Sequence, residues 1–321
     1  MRARGLVALA TVAALLAMPA SAQSSIPNGD FSAQLDALWN YDAPADSEAR
    51  FRAALRDVPA ASREACETST QIARAFSLQR KFAEADAILD GVAPALATQP
   101  ARVRVRYLLE RGRTRNSSGS PASAVPLFQD ALAASARDTL PDADFYRVDA
   151  LHMLGIAAPE TERLDWNLKA LAAADASSSA RARGWRGSLL NNIGWTYHDR
   201  GDYAKALDAW ETALAAREAS GNAAQIRIAK WTVARGLRSL GRLDEAEKIQ
   251  LALAEELVRT GSGDGYIYEE LAEIALARND GAAAKPWAAK AYAMLKDDAY
   301  LKASEPVRLA RLAKAAGVAT P

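Results

Sequence analysis

Cysteine is almost missing from this chain. Cys66 stands alone among 321 residues, so no internal disulfide can form, and the residue reads as a small apolar packing group. Histidine is nearly as scarce, with only His152 and His198. Neither lies in a catalytic signature, and two histidines far apart cannot supply the three or four ligands of a zinc site. No G-x-S-x-G elbow occurs, so a nucleophile with a positioned base has no local support. The run Gly236–Arg242 has the glycine spacing of a phosphate loop but lacks its Lys-Ser/Thr ending. Gly261–Gly265 reads as a loop between helices, and Asp264 lacks the further aspartates of a calcium loop. The expectation is a chain that is not an enzyme and takes no cofactor or metal.

Charge of one sign is also lacking. There are 40 basic and 39 acidic residues. A balance this close to neutral argues against nucleic acid, whose binding rests on clustered positive charge. No apolar run reaches the ~20 residues of a membrane span. The longest, Leu6–Met18, follows Arg2 and Arg4 and precedes Ala20-Ser21-Ala22. Basic start, short apolar run and small-residue site are the three parts of a secretory signal. The expected cleavage falls between Ala22 and Gln23, giving an exported chain, periplasmic or secreted. Removal of Arg2 and Arg4 leaves 38 basic against 39 acidic residues. No run alternates with period two over a convincing length, so no sheet is expected.

What is abundant is helix-forming sequence with a repeat. In LNNIGWTYHDRGDYAKALDAWETAL, from Leu190 to Leu214, two runs of helical periodicity flank Gly201. Leu190, Ile193, Gly194 and Tyr197 share one face of the first helix. Tyr203, Ala206, Leu207, Trp210 and Ala213 share one face of the second. Small residues at Gly194, Ala206 and Ala213 let the axes approach, with Tyr197 and Trp210 filling the space around them. The same register recurs around Ala73, Gly112, Gly155, Ala234 and Ala272. Alanine follows each marker twelve residues on (Ala85, Ala124, Ala206, Ala246, Ala284), except that Asn167 follows Gly155. Gln250 and Ala288 replace the large residue of the second helix. The markers are 39, 43, 39, 40 and 38 residues apart.

This pattern resembles the tetratricopeptide repeat, over roughly 66–295. The family unit is about 34 residues, so longer helices or connectors are expected here. The resemblance implies an all-α, right-handed superhelical solenoid of about six to seven hairpins. A short linker spans 23–29, the solenoid 30–317, a degenerate first hairpin 30–58 (Leu35 and Leu38, then Phe51 and Leu55), and a capping helix 299–317. That cap, with Leu301, Leu309 and Leu312 among Arg308, Arg311 and Lys314, should present a solvated outer face. Expected packing positions are Gly112, Ala124, Gly155, Gly194, Tyr197, Ala206, Trp210, Ala234 and Ala246.

The resemblance also implies that the first helix of each hairpin, helix A, lines a concave groove. Positions three before, one after and four after the marker then share the groove stripe. They include Thr70, Arg74 and Ser77; Leu109, Arg113 and Asn116; His152, Ile156 and Pro159; and Glu269, Glu273 and Leu276. The candidate partner-binding residues are Asn191, Trp195, His198, Trp231, Arg235 and Arg238, because tryptophan and arginine concentrate binding energy. Against this stand two plainer readings: both indoles pack between helices, and Arg235 and Arg238 pair with Glu269 and Glu273. The lysine and asparagine set with which some family members clamp a C-terminal carboxylate is not reproduced. The function implied is a non-catalytic protein- or peptide-binding scaffold in the bacterial cell envelope. An accessory subunit of an envelope hydrolase or secretion assembly is the alternative, as is a small-ligand or glycan binder using the tryptophans.

Overall fold

The computed structural model describes residues 31–56 and 58–318, so the expected signal segment and its cleavage site lie outside the described residues. Among the described residues there are helices and turns but no strand. They fall into two compact units, divided between Leu189 and Leu190.

The N-terminal unit holds α1 (Phe31–Ala37), α2 (Pro44–Ala54), α3 (Arg63–Leu78), α4 (Phe82–Val92), α5 (Ala101–Ser117) and α6 (Pro121–Ser135). It continues through α7 (Ala143–Ala157), α8 (Glu160–Ala176) and the short α9 (Ala180–Arg183), and a 3-10 turn at Ala93–Ala97 extends α4. The division falls within α10 (Arg186–Asp199). The C-terminal unit continues with α11 (Tyr203–Ser220), α12 (Ala223–Ser239), α13 (Leu243–Thr260), α14 (Gly265–Ala277), α15 (Gly281–Leu295), α16 (Ala299–Ser304) and α17 (Pro306–Ala316). The repeat exceeds the family length because its helices are long: α12 has 17 residues and α13 has 18.

One turn closes helix A in five of the six hairpins. The seventh residue after the marker is left-handed: Arg80, Gly119, Gly201, Gly241 and Asn279. The next backbone N–H then reaches five residues back, as Asp202 to the Tyr197 carbonyl at 2.9 Å and Arg242 to the Leu237 carbonyl at 2.9 Å. This satisfies a carbonyl that the helix end would orphan. The Gly155 hairpin lacks the turn, because Pro159 follows Ala158 and starts α8 directly.

Side-chain volume fixes how closely A and B approach. Ala85, Ala124, Ala206, Ala246 and Ala284 are all fully buried. Where the large residue sixteen positions after the marker is aromatic, the marker is glycine. A Cβ on Gly112 would lie 2.4 Å from the Phe128 ring, and one on Gly194 would lie 2.2 Å from Trp210 Nε1. Asn167 crowds Gly155 in the same way, at 2.6 Å. Its amide is held there by donating to the Gly155 and Arg163 carbonyls at 3.2 and 2.9 Å. The departure from alanine is thus absorbed by a glycine and two backbone acceptors.

Two expectations need correction. The closing helix is broken: Glu305 leaves helical geometry and Pro306 begins α17. Its basic face is not simply solvated either. Arg308 donates from Nε and Nη2 to Glu269 of α14, both at 2.6 Å, and Arg311 pairs with Glu273 at 2.6 Å.

Candidate functional site: the helix-A face of the C-terminal unit

Helices α10, α12 and α14 carry the stripe one turn at a time, since positions −3, +1 and +4 from the marker project to one side. On α10 and α12 all six positions are half-buried: Asn191, Trp195, His198, Trp231, Arg235 and Arg238. The corresponding stripe of the N-terminal unit is more closed, with Thr70, Ser77, Leu109 and His152 buried.

The aromatic part is contiguous. The Trp195 ring lies edge-on to Trp210 at 5.0 Å and to His198 at 5.6 Å, and tilted to Trp231 at 6.1 Å. Such offset and edge contacts favour the aromatic quadrupoles. Trp231 donates its Nε1–H to the Tyr266 carbonyl at 3.0 Å and packs against the cluster of Leu253, Leu257 and Leu271. Both indoles are therefore anchored by packing while keeping part of their surface in solvent.

His198 joins the aromatic to the polar part. Its Nε2 lies 2.9 Å from Ser239 Oγ. The single hydroxyl hydrogen of Ser239 is given to the Arg235 carbonyl at 3.0 Å. The histidine Nε2–H is consequently the donor, leaving Nδ1 without the proton. Burial pushes the His198 pKa down to about 4, and the neighbouring Arg235 and Arg238 push the same way against Glu270. The ring is neutral at pH 7.

The arginines do not pair with Glu269 and Glu273. Glu270, 1% exposed, takes both: Arg235 Nη1 and Arg238 Nη2 donate to its Oε2 at 3.1 and 3.2 Å, and Arg238 Nε donates to its Oε1. Burial acts to raise the Glu270 carboxyl, but Arg235 and Arg238 outweigh it and hold it below the ordinary range. The arginine side chains remain 23% and 16% exposed. Two cations around one carboxylate leave a local excess of positive charge beside the indoles. Glu269 and Glu273 are engaged instead by α17, as described above.

Sequence reasoning therefore missed Glu270, Ser239 and Tyr266. The signal for Glu270 was present in the register. Arg74, one after its marker, meets Glu110, two before the next, at 3.4 Å. Arg235 and Glu270 stand in the same relation. Asp264, considered for calcium, caps α14 by accepting from the Tyr266 N–H at 3.0 Å. His152 is buried against Trp185, ring to ring at 4.9 Å. Among the described residues no three His, Cys, Asp or Glu side chains gather as a metal site, and no helix is long and apolar enough to cross a membrane.

The hairpin α10–α11 sets its glycine marker under a buried tryptophan. Residues 187–220 match the tetratricopeptide repeat. Similar folds occur among solved structures. One is a signal transduction ATPase with numerous domains, with a tetratricopeptide repeat sensor, from Pyrococcus horikoshii (TM-score 0.63, 15% identity). The match covers 83% of this chain and 42% of the ATPase, so the chain spans about two fifths of that protein's length. Another is the apo quorum sensor NprR from B. thuringiensis (TM-score 0.60, 14% identity), covering 88% of this chain and 80% of that one. NprR in complex with its cognate peptide NprX is also similar (TM-score 0.53, 16% identity, covering 90% and 86%). Identities this low establish the tetratricopeptide-like fold alone. A comparison with curated proteins gives no match.

Proposed function

We propose that this chain is a non-catalytic tetratricopeptide scaffold that binds a peptide or protein partner on the helix-A face of α10 and α12. The observation that carries the reading is the half-exposed constellation itself: two packed indoles, a neutral histidine and two arginines sharing one carboxylate. Pre-anchored tryptophans bind at low entropic cost, and indole and guanidinium groups are the side chains on which binding energy concentrates. Positive excess beside them favours a partner segment with a carboxylate or a carbonyl-rich backbone. The complex of NprR with its peptide is a precedent for peptide recognition on a similar fold. We place the chain outside the bacterial cytoplasm, in the envelope or beyond, on the strength of Arg2, Arg4, Leu6–Met18 and Ala20–Ala22.

Capture of co-exported proteins by the purified chain, compared with Trp231→Ala, tests the binding reading. Truncation of a central anchor costs ~2–4 kcal/mol, so capture by the folded fraction should fall at least tenfold. Unchanged capture per folded molecule refutes the site. Intact mass of the exported protein tests the location: a species beginning at Gln23 supports it, and one retaining Met1 overturns it.

A further inference from the structure

The helix-A face of the N-terminal unit carries an occupant. Helix α1 and the turn after it make contacts far from their neighbours in sequence. Ser32, fully buried, accepts from Nη1 of Arg102 on α5 at 3.0 Å. Arg102 is itself fully buried and also binds Asp138 and the Pro141 carbonyl. Asp36 is bound by Arg181 of α9, a residue 145 positions away, whose guanidinium lies 3.6 Å over the Phe145 ring of α7. Leu35, 1% exposed, sits between these two polar anchors and packs with Ile72 and Phe76 of α3. Trp39 donates from Nε1 to Gln71 of α3 at 3.1 Å, and Tyr41 stacks on Trp39 at 4.6 Å with Arg74 5.9 Å from its ring.

These contacts touch α3 and α5, the helices A of two hairpins, and the short α9 that precedes α10, in addition to the expected packing on α2, where Leu35, Leu38, Phe51 and Leu55 share one cluster and Trp39 lies edge-on to Phe51 at 5.0 Å. A segment eleven residues long, from Phe31 to Tyr41, thus lies across α3, α5 and α9 and meets the stripe itself at Arg74. Each anchor is of a kind that recognises peptides: a buried arginine on a hydroxyl, an arginine on a carboxylate, a seated leucine, and a hydrogen-bonded indole.

We propose that this face is a second peptide site whose resident ligand is the chain's own segment 31–41, and that a partner segment of the same chemistry binds by displacing it. The partner chemistry is read from the resident: a short helix with a hydroxyl, a leucine and a carboxylate at i, i+3 and i+4, followed by tryptophan. A tethered occupant competes at an effective concentration of roughly 1 mM, so a resident segment of intrinsic Kd ~10 μM weakens any partner about 100-fold until the tether yields. The site lies on residues 31–189 and does not depend on the Trp231 patch.

The test uses the full chain with a protease site inserted between Asp42 and Ala43, cleaved after folding and freed of the released fragment. The probe is a fluorescent synthetic peptide of residues 31–42. The expected result is retained helical circular dichroism, saturable peptide binding to the cleaved protein, and binding at least tenfold weaker to the uncleaved one. Arg181→Glu in the cleaved protein should weaken the peptide at least fivefold, and a peptide carrying Asp36→Arg should recover the loss. Collapse of helical signal on cleavage, absence of peptide binding to a still-helical protein, or equal binding to cleaved and uncleaved chains would each overturn the proposal.

Discussion

Replacing Glu270 by glutamine isolates the buried carboxylate that the two arginines of the C-terminal stripe share. The substitution keeps shape and removes the carboxylate that two arginines share. Breaking a fully buried ion pair from one side costs ~3–5 kcal/mol, because the partner charge is left uncompensated. Arg235 and Arg238 are 23% and 16% exposed, so water recovers part of that penalty. The expected loss is accordingly about 2–3 kcal/mol, read by urea denaturation at pH 7 with an unchanged slope. Glu273→Gln is the control. Its partner Arg311 is 58% exposed, so the change should stay within about 0.5 kcal/mol. A second readout is independent of stability. Glu270 is the group that opposes the arginines at His198, so its loss should move the imidazole pKa below its value of about 4. Adding Arg238→Met should return part of the lost stability, since it removes one stranded charge. A Glu270→Gln protein that melts within about 0.5 kcal/mol of the parent refutes the assignment of Glu270 as the shared counter-ion.

Three further outcomes follow from the packing and the charges. Gly194→Ala places a methyl 2.2 Å from the fully buried Trp210 indole, and overpacking of this kind should cost ~1–3 kcal/mol by thermal melt; a neutral result contradicts the close A–B approach. Gln250 is fully buried and neither amide atom makes a hydrogen bond among the described residues, so Gln250→Leu should stabilise by ~1–2 kcal/mol; a lowered melting midpoint contradicts this. His152 and His198 both have folded pKa values of about 4 against an ordinary 6.5, their burial being the main cause. Between those values the unfolded chain binds protons that the folded one does not, so stability should fall with pH from about 6.5 to 4. The slope is up to ~1.4 kcal/mol per pH unit for each histidine, and it levels off below 4. Denaturation midpoints that stay flat from pH 7 to 4 rule this out.

The hairpins were legible because their information is steric and local. Glycine or alanine at the marker and a residue of complementary bulk sixteen positions on are visible in one window of sequence, and Gly194 with Trp210 shows the coupling directly. Even the replacement at Asn167 made sense once Gly155 was seen to oppose it. Pro306, which marks the break in the closing helix, was a local signal that the reading of 299–317 as one helix passed over. What sequence could not give was long-range polar pairing. Helical periodicity within one hairpin puts a carboxylate on a face, and only comparison with the Arg74–Glu110 pair of another hairpin singles out Glu270 over Glu269 as the acceptor for Arg235. Nor could any local pattern place Asp36 against Arg181, because that contact depends on where α1 runs after three hairpins have stacked.

The sandwich around Trp210 bears on how such chains can be recombined. The indole is covered on one side by Gly194 of its own hairpin. On the other, a Cβ at Gly236 of the following helix would stand 3.1 Å from its ring. The turn at Gly221 looks like the natural seam between modules, yet the volume constraint set by one tryptophan runs past it. A hairpin excised at that turn and inserted elsewhere would meet a neighbour without the matching glycine. The smallest portable block is therefore the hairpin together with the first helix of its successor, to Gly236. Inheritance, like engineering, must exchange seams of complementary bulk rather than whole repeats cut at their loops.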